Sequence, residues 1–329
     1  VTPVWFMRQA GRYLPAYRAV RAKHSLLEIA HTPTLAAQVT VQPVDELDVD
    51  AAILFADILL PFEPLGLGLA FEEGKGPRIA SPVRTPRSVA ELHAVDPRRD
   101  LGYVLEAVRL VKKNLAARAT PVSLIGFAGA PFTLASYAIE GGATRDFTHT
   151  KRFMYRHRDA WRALLDHLAE LAGRFLAAQV EAGADAVQLF DSWVGCLSPD
   201  DYRRYVLPHT RLAIELAGRA GVPLIHFGTG TATLLEAMAE AGGEVIGVDW
   251  RIPIDQAWGR IGDRAIQGNL DPAALFAPRD ELEGRVRDVL RRADGRPGHI
   301  FNLGHGVLPG TPVENLKAVV SVIREASQG

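Results

Sequence analysis

The sequence predicts an α/β fold, specifically a single-domain (β/α)8 barrel with its active-site cleft at the carboxyl ends of the strands. Three observations predict it. From about residue 120 onward, short β-branched and apolar runs alternate with longer stretches of helical spacing. A glycine-bearing cadence recurs before three of those runs: EAGAD at Glu181, RAGVP at Arg219 and EAGGE at Glu240. Seven runs read as strands, and an eighth is expected in the less regular region from Leu65 to Arg84, which would complete a closed barrel.

The first strand is AAILFAD, ending at Asp57. Six follow: VSLIGF (Val122 to Phe127), AVQLFD (Ala186 to Asp191), PLIHF (Pro223 to Phe227), EVIGVDW (Glu244 to Trp250), AIQGN (Ala265 to Asn269) and HIFNLG (His299 to Gly304). Gly183, Gly221 and Gly242 stand where helices would end in the left-handed conformation before the chain turns into a strand. Between strands lie helical stretches such as Lys151 to Ala182, whose Leu164, Leu165, Leu168, Leu171 and Phe175 form a core-facing stripe. The proline-rich, charged stretch from Gly74 to Arg99 reads as a surface excursion, and no linker divides the chain, so residues 1–329 are expected to form one domain. An open doubly wound sheet is the alternative arrangement.

Composition narrows the function classes. The chain carries 37 Lys and Arg against 38 Asp and Glu, so it has no global positive field to gather nucleic acid or an anionic membrane. Any anion site must be local. The single cysteine, Cys196, rules out an internal disulfide and a multi-thiolate metal site and fits a reducing cytoplasm. No apolar run is long enough to span a membrane, and no signal-peptide pattern is present, although a chain beginning at Val1 leaves a short leading segment open.

Chemistry in a parallel barrel gathers at the carboxyl ends of its strands. Asp57, Asp191 with Ser192, Asp249 with Trp250, and Gly304-His305-Gly306 all fall at such ends, and Tyr137 follows the tight turn set by Gly129 and Pro131. Each also has a plainer reading. Asp57 and Ser192 are good helix caps, Tyr137 fits a core with its hydroxyl satisfied, and His305 could fill a turn. No Walker phosphate loop, zinc-binding H-E-x-x-H or G-x-S-x-G elbow occurs. GTGTAT after PLIHF, with Asp249 closing the next strand, partly matches a dinucleotide fingerprint, but it lacks the third glycine and sits deep in the series of units.

Near the amino terminus, RQAGR sets Arg8 and Arg12 around Gln9, Ala10 and Gly11. Gly11 and Pro15 both disfavour a continuous helix there, which points to a loop. Two guanidiniums on a loop suit an anion clamp, because each offers a planar donor fork matched to carboxylate or phosphate.

Taken together and in order, PVWFMRQAGRYLPAYR, ILFADIL, GFAGAPFTLASYAIEGG, FDSWVG and NLGHGVLPGTP resemble the uroporphyrinogen decarboxylase family along nearly the whole chain. The resemblance implies a cofactor-free, metal-free barrel, usually a homodimer, that removes carbon dioxide from the four acetates of uroporphyrinogen III to leave coproporphyrinogen III. It also implies a substrate loop of Arg8, Gln9, Ala10, Gly11 and Arg12, completed by Asp57, Tyr137, Ser192 and His305. Asp57 would accept the pyrrole N–H groups and stabilise the cation formed when the ring is protonated. Arg12 or Arg8 is the expected proton source, with His305 as competitor. Two other readings are a corrinoid-dependent methyltransferase of the same superfamily, against which His226-Phe227-Gly228 lacks the nearby cysteine a zinc site needs, and a barrel that binds tetrapyrroles without turnover.

Overall fold

The computed structural model describes residues 2–72 and 76–327; Gly74, where the expected surface excursion begins, lies outside them. In chain order the strands are β1 (Ala51–Ile53), β2 (Leu69–Glu72), β3 (Gly76–Ile79), β4 (Ser123–Gly129), β5 (Ala186–Asp191), β6 (Leu224–Gly228), β7 (Val245–Gly247), β8 (Ala265–Leu270) and β9 (His299–Leu303). Seven of them form one curled sheet in the order β1-β4-β5-β6-β7-β8-β9, every neighbouring pair parallel. The fold is TIM-barrel-like, and all seven strands read from the sequence are present.

The eighth strand is not where the sequence placed it. β2 and β3 pair antiparallel with each other alone, as a separate two-stranded sheet. The gap between the edge strands β9 and β1 is filled by the first residues of the chain. Phe301 N–H donates to Pro3 O at 2.8 Å and Trp5 N–H to Phe301 O at 3.3 Å, so this segment runs parallel to β9. On its other side Asp50 N–H donates to Val4 O at 2.9 Å, and Val4 N–H to the Asp50 carboxylate at 2.7 Å. A run this short carries no periodicity, which is why the sequence pattern does not reveal it.

Past the closing segment, Trp5, Phe6 and Met7 are fully buried. Polar side chains inside the barrel satisfy one another: Trp5 Nε1 donates to Gln267 Oε1 at 3.1 Å and Gln267 Nε2 to Gln188 Oε1 at 3.0 Å. Gln9, also buried, ties the segment to β1, its Oε1 accepting from Phe6 N–H and its Nε2 donating to Ala51 O, each at 3.0 Å.

Two further details differ from the sequence reading. β1 ends at Ile53 because Phe55 N–H turns out of the ladder to the Thr40 hydroxyl, 2.8 Å away, so Asp57 stands beyond the strand rather than closing it. The stretch from Lys151 to Ala182 is two helices, Thr148–Arg156 and Arg158–Glu181, broken at His157, with the leucine stripe buried in the second. Gly183, Gly221 and Gly242 adopt the positive φ expected of them, 120°, 78° and 123°. No helix among the described residues is long and apolar enough to cross a membrane.

Gln9→Leu leaves the buried Phe6 N–H and Ala51 C=O without partners, and it should lower unfolding free energy by about 2 to 4 kcal/mol. A urea titration would show this as a lower midpoint at unchanged slope.

Candidate active site

Because the closing segment runs parallel to the strands, it delivers the chain to the same mouth as every strand end, and Arg8 is its first residue there. Arg8 has a φ of 58°, a left-handed backbone that costs a non-glycine residue on the order of 1 kcal/mol. Its neighbours hold it in place: Met7 N–H donates to Asn302 Oδ1 at 3.0 Å, Val307 N–H to Met7 O at 2.8 Å, and Gln9 N–H to Phe6 O at 3.0 Å. The aliphatic part of the Arg8 side chain lies on Gly306, where a Cβ would come within 2.4 Å of Arg8 Cδ. Gly11 is required for a similar reason, since a Cβ there would stand 2.8 Å from the Arg8 carbonyl oxygen.

Asp57 lies between β1 and the short 3-10 turn Leu60–Phe62. Its Oδ1 accepts the Leu59 N–H at 2.8 Å, which closes a local turn two residues on; the 3-10 turn itself starts from Leu59 and has no side-chain cap, so the capping role weighed from the sequence is not met. The second oxygen has no hydrogen-bond partner among the described residues. Burial raises the Asp57 carboxyl above the usual carboxylate range, opposed by the Leu59 hydrogen bond and then by the charge of Arg8.

The same arginine reaches two other expected residues. Burial and then the Asp57 charge push the Tyr137 hydroxyl up to about 12, with Arg8 opposing. Burial and then Arg8 push His305 down to about 4, against the pull of Asp249. His305 Nδ1 accepts the Gly306 N–H at 2.6 Å, which leaves the proton of the neutral ring on Nε2. The Arg8 charge thus reaches Asp57, Tyr137 and His305 alike, and the Asp57 charge reaches Tyr137.

The remaining expected residues take different places. Ser192 is half-buried, and its neighbour Trp193 stacks on Tyr137 with ring centroids 3.7 Å apart. Arg12 is exposed on the flank, where its charge is felt by Tyr17, whose ring lies 5.7 Å from Phe55. Gln9 has its amide spent inside the protein and shapes the loop without reaching the cavity. Ala10 is half-buried against the core. Asp249, the acidic residue of the partial dinucleotide match, is consumed by Gly230 N–H at 2.5 Å, Arg251 N–H at 3.0 Å and the Arg251 guanidinium.

Sequence reasoning missed Trp193, the contact of Gly306 with Arg8, and a row of aromatic rings leading from Phe127 through Phe190 and Phe227 to His305, with centroid spacings of 5.4, 5.7 and 6.4 Å. Phe190 and Phe227 occupy matched register positions on β5 and β6, and the alternation within those strands is the signal that could have paired them.

The family described as "Uroporphyrinogen decarboxylase (URO-D)" matches residues 1–326. The chain belongs to the uroporphyrinogen decarboxylase family. It is 58% identical over 324 residues to a uroporphyrinogen decarboxylase of Sorangium cellulosum, covering 98% of this chain and 92% of the relative. It is 56% identical over 326 residues to one of Solibacter usitatus, covering 99% and 93%. Among solved structures it resembles a methyltransferase from Methanosarcina mazei, with a TM-score of 0.76 at 21% identity over 91% of this chain and 87% of the other, a likeness of fold alone.

Two outcomes are expected. Gly306→Ala displaces the Arg8 side chain, so turnover should fall at least tenfold while the thermal midpoint moves by only a few degrees. The His305 pKa lies below the unfolded value near 6.5, so its contribution to stability is present at neutral pH and is lost as pH falls from about 6.5 toward 4. NMR of the ring protons should accordingly show no His305 titration between about pH 5.5 and 8.

Proposed function

We propose that the chain converts the four acetate side chains of uroporphyrinogen III to methyl groups, giving coproporphyrinogen III and carbon dioxide without a cofactor. It would act as a single-domain barrel and a homodimer in the cytoplasm. The observation that carries this reading is Asp57: a half-buried carboxylate at the mouth, with one oxygen bonded by the Leu59 N–H and the other open to a ligand.

The substrate carries carboxylates on its rim and four pyrrole N–H groups at its centre. An ionised carboxylate accepts several hydrogen bonds, so these N–H groups can converge on Asp57. Arg8 and Arg12 suit rim carboxylates, Arg8 from within the mouth and Arg12 from its flank, and the Tyr137 and Ser192 hydroxyls and neutral His305 Nε2–H offer directional hydrogen bonds to the substrate. The partly exposed ring of Phe190, backed by the buried Phe227, suits a face of the macrocycle.

In the reaction, a proton adds to the pyrrole carbon beside the acetate-bearing position, making a ring cation conjugated with the acetate. The C–C bond to the carboxylate breaks, its electron pair enters the ring, and carbon dioxide leaves. A second proton converts the resulting exocyclic methylene to a methyl group while the proton added first is lost. Asp57 faces a positive charge absent from the ground state. At about 4 Å and an effective dielectric near 20 that attraction is worth roughly 4 kcal/mol, which lowers the barrier rather than tightening binding alone. Enzymes commonly supply about 8 to 23 kcal/mol, so proton delivery and positioning must contribute the rest.

His305 suits a hydrogen-bond donor better than an acid, because its depressed pKa leaves little imidazolium near neutrality. Arg8 therefore becomes the preferred conduit for the proton, and Arg12 an anchor.

Anaerobic incubation with uroporphyrinogen III, with products separated by carboxylate number, tests the activity. Asp57→Asn should retain the fold and lose about 10²- to 10³-fold in kcat, in line with removal of one buried charge-stabilising group. Because Asp57 acts ionised and its pKa is raised, the acid limb of kcat/KM should lie above the ordinary carboxylate range near 4 and disappear in Asp57→Asn. Wild-type turnover in Asp57→Asn would refute the scheme.

A further inference from the structure

One buried carboxylate has no part in the chemistry above. Asp191, at the end of β5, is fully buried: its Oδ1 accepts a hydrogen bond from the Thr133 hydroxyl at 2.9 Å, while its Oδ2 has no hydrogen-bond partner and lies 4.0 Å from His226 Nε2. His226 is equally buried, and neither of its ring nitrogens has a partner. The buried Tyr202 hydroxyl feels the Asp191 charge from a third element, the helix Pro199–Tyr205. A carboxylate retained in such surroundings needs a reason beyond local stability.

The reason lies on the other side of Thr133. Its hydroxyl oxygen also accepts the Trp193 N–H at 3.2 Å, and the Trp193 indole stacks on the Tyr137 ring at 3.7 Å with an interplanar angle of 26°. Thr133 and Tyr137 are four residues apart on the helix Pro131–Glu140, hence on one face of it. The carbonyl of Ser192, in the middle of the same turn, is held by the Thr229 hydroxyl from the loop after β6.

We infer that Asp191 and Thr133 are positioning residues for Tyr137. A hydroxyl has one proton. With an acceptor oxygen at Asp191, Thr133 spends that proton on the carboxylate and keeps a lone pair for Trp193 N–H, which fixes the 191–193 turn against the helix and clamps the indole onto the phenol. The order of the relay is carboxylate, hydroxyl, amide, indole, phenol. This rests on the role of Tyr137 proposed above and adds the device that aims it.

The test compares Thr133→Val and Thr133→Ser, each in the wild-type and Tyr137→Phe backgrounds, by kcat and KM for uroporphyrinogen III. The near-ultraviolet circular dichroism of the Trp193–Tyr137 stack is read alongside, with Trp193→Leu as reference. Thr133→Val should lower kcat at least tenfold with KM changed less than threefold, and it should lose the stack's signal. Thr133→Ser should restore both, and Thr133→Val should add nothing in Tyr137→Phe. Wild-type kcat and spectrum in Thr133→Val, or the full loss persisting in Tyr137→Phe, would overturn the inference. If Thr133→Val does not fold, Trp193→Leu reads the same clamp from its other end: a tenfold lower kcat supports it and an unchanged kcat overturns it. If Tyr137→Phe alone turns over normally, it is the function assigned to Tyr137 that fails, and the spectrum of Thr133→Val still decides the clamp.

Discussion

The site depends on keeping one carboxylate partly desolvated and incompletely paired. Among the described residues Asp57 accepts a single hydrogen bond, from Leu59 N–H, and the charge that favours its ionised form is that of Arg8. A full set of partners would stabilise the ionised form and leave it no capacity for a ligand. Open exposure to water would screen it. The observed compromise, a raised pKa with one oxygen unclaimed, is unstable on its own account and becomes useful when pyrrole N–H groups complete it.

Arg8 can serve Asp57 only because the chain's first residues finish the barrel. Pro3 to Trp5 bond to β9 and to Asp50, the residue before β1, so closing the sheet and delivering a guanidinium to the mouth are one structural event. The left-handed backbone at Arg8 and the close approach of its side chain to Gly306 follow from it. Stability and function are therefore coupled at this segment, and buried groups such as Gln9, Asn302 and Gln267 affect the site without touching it. The same reasoning applies on the far side of the cavity, where Thr133 and Trp193 hold a phenol from behind.

Much of the fold was legible because burial enforces periodicity. β4, β5, β6, β8 and β9 lie under helices and read as apolar runs, and the glycines before three strands take the positive φ that their joints require. The closing strand was not legible, since Pro3 to Trp5 are too few to show a pattern, and β2 with β3 mimicked the missing piece while forming a separate hairpin. Within the candidate site, Asp57 and His305 were singled out by strand-end position, Arg8 by the chemistry of its loop and Tyr137 by the turn before its helix, with the family motif added to each. Gln9 and Gly11 carry the same motif for other reasons, the one as a buried brace and the other to clear the Arg8 carbonyl. A motif records which residues are needed, not whether each one touches the ligand. The roles of Trp193 and Gly306 depend on contacts between distant segments, which no local pattern encodes.

The most direct test of the central claim is a structure of the protein with coproporphyrinogen III bound, prepared without oxygen so that the macrocycle stays reduced. The account predicts Asp57 oxygens within hydrogen-bonding distance of the pyrrole nitrogens and the Arg8 guanidinium on a rim carboxylate. Asp57 ion-paired to Arg8, with the macrocycle's nitrogens facing elsewhere, would contradict it.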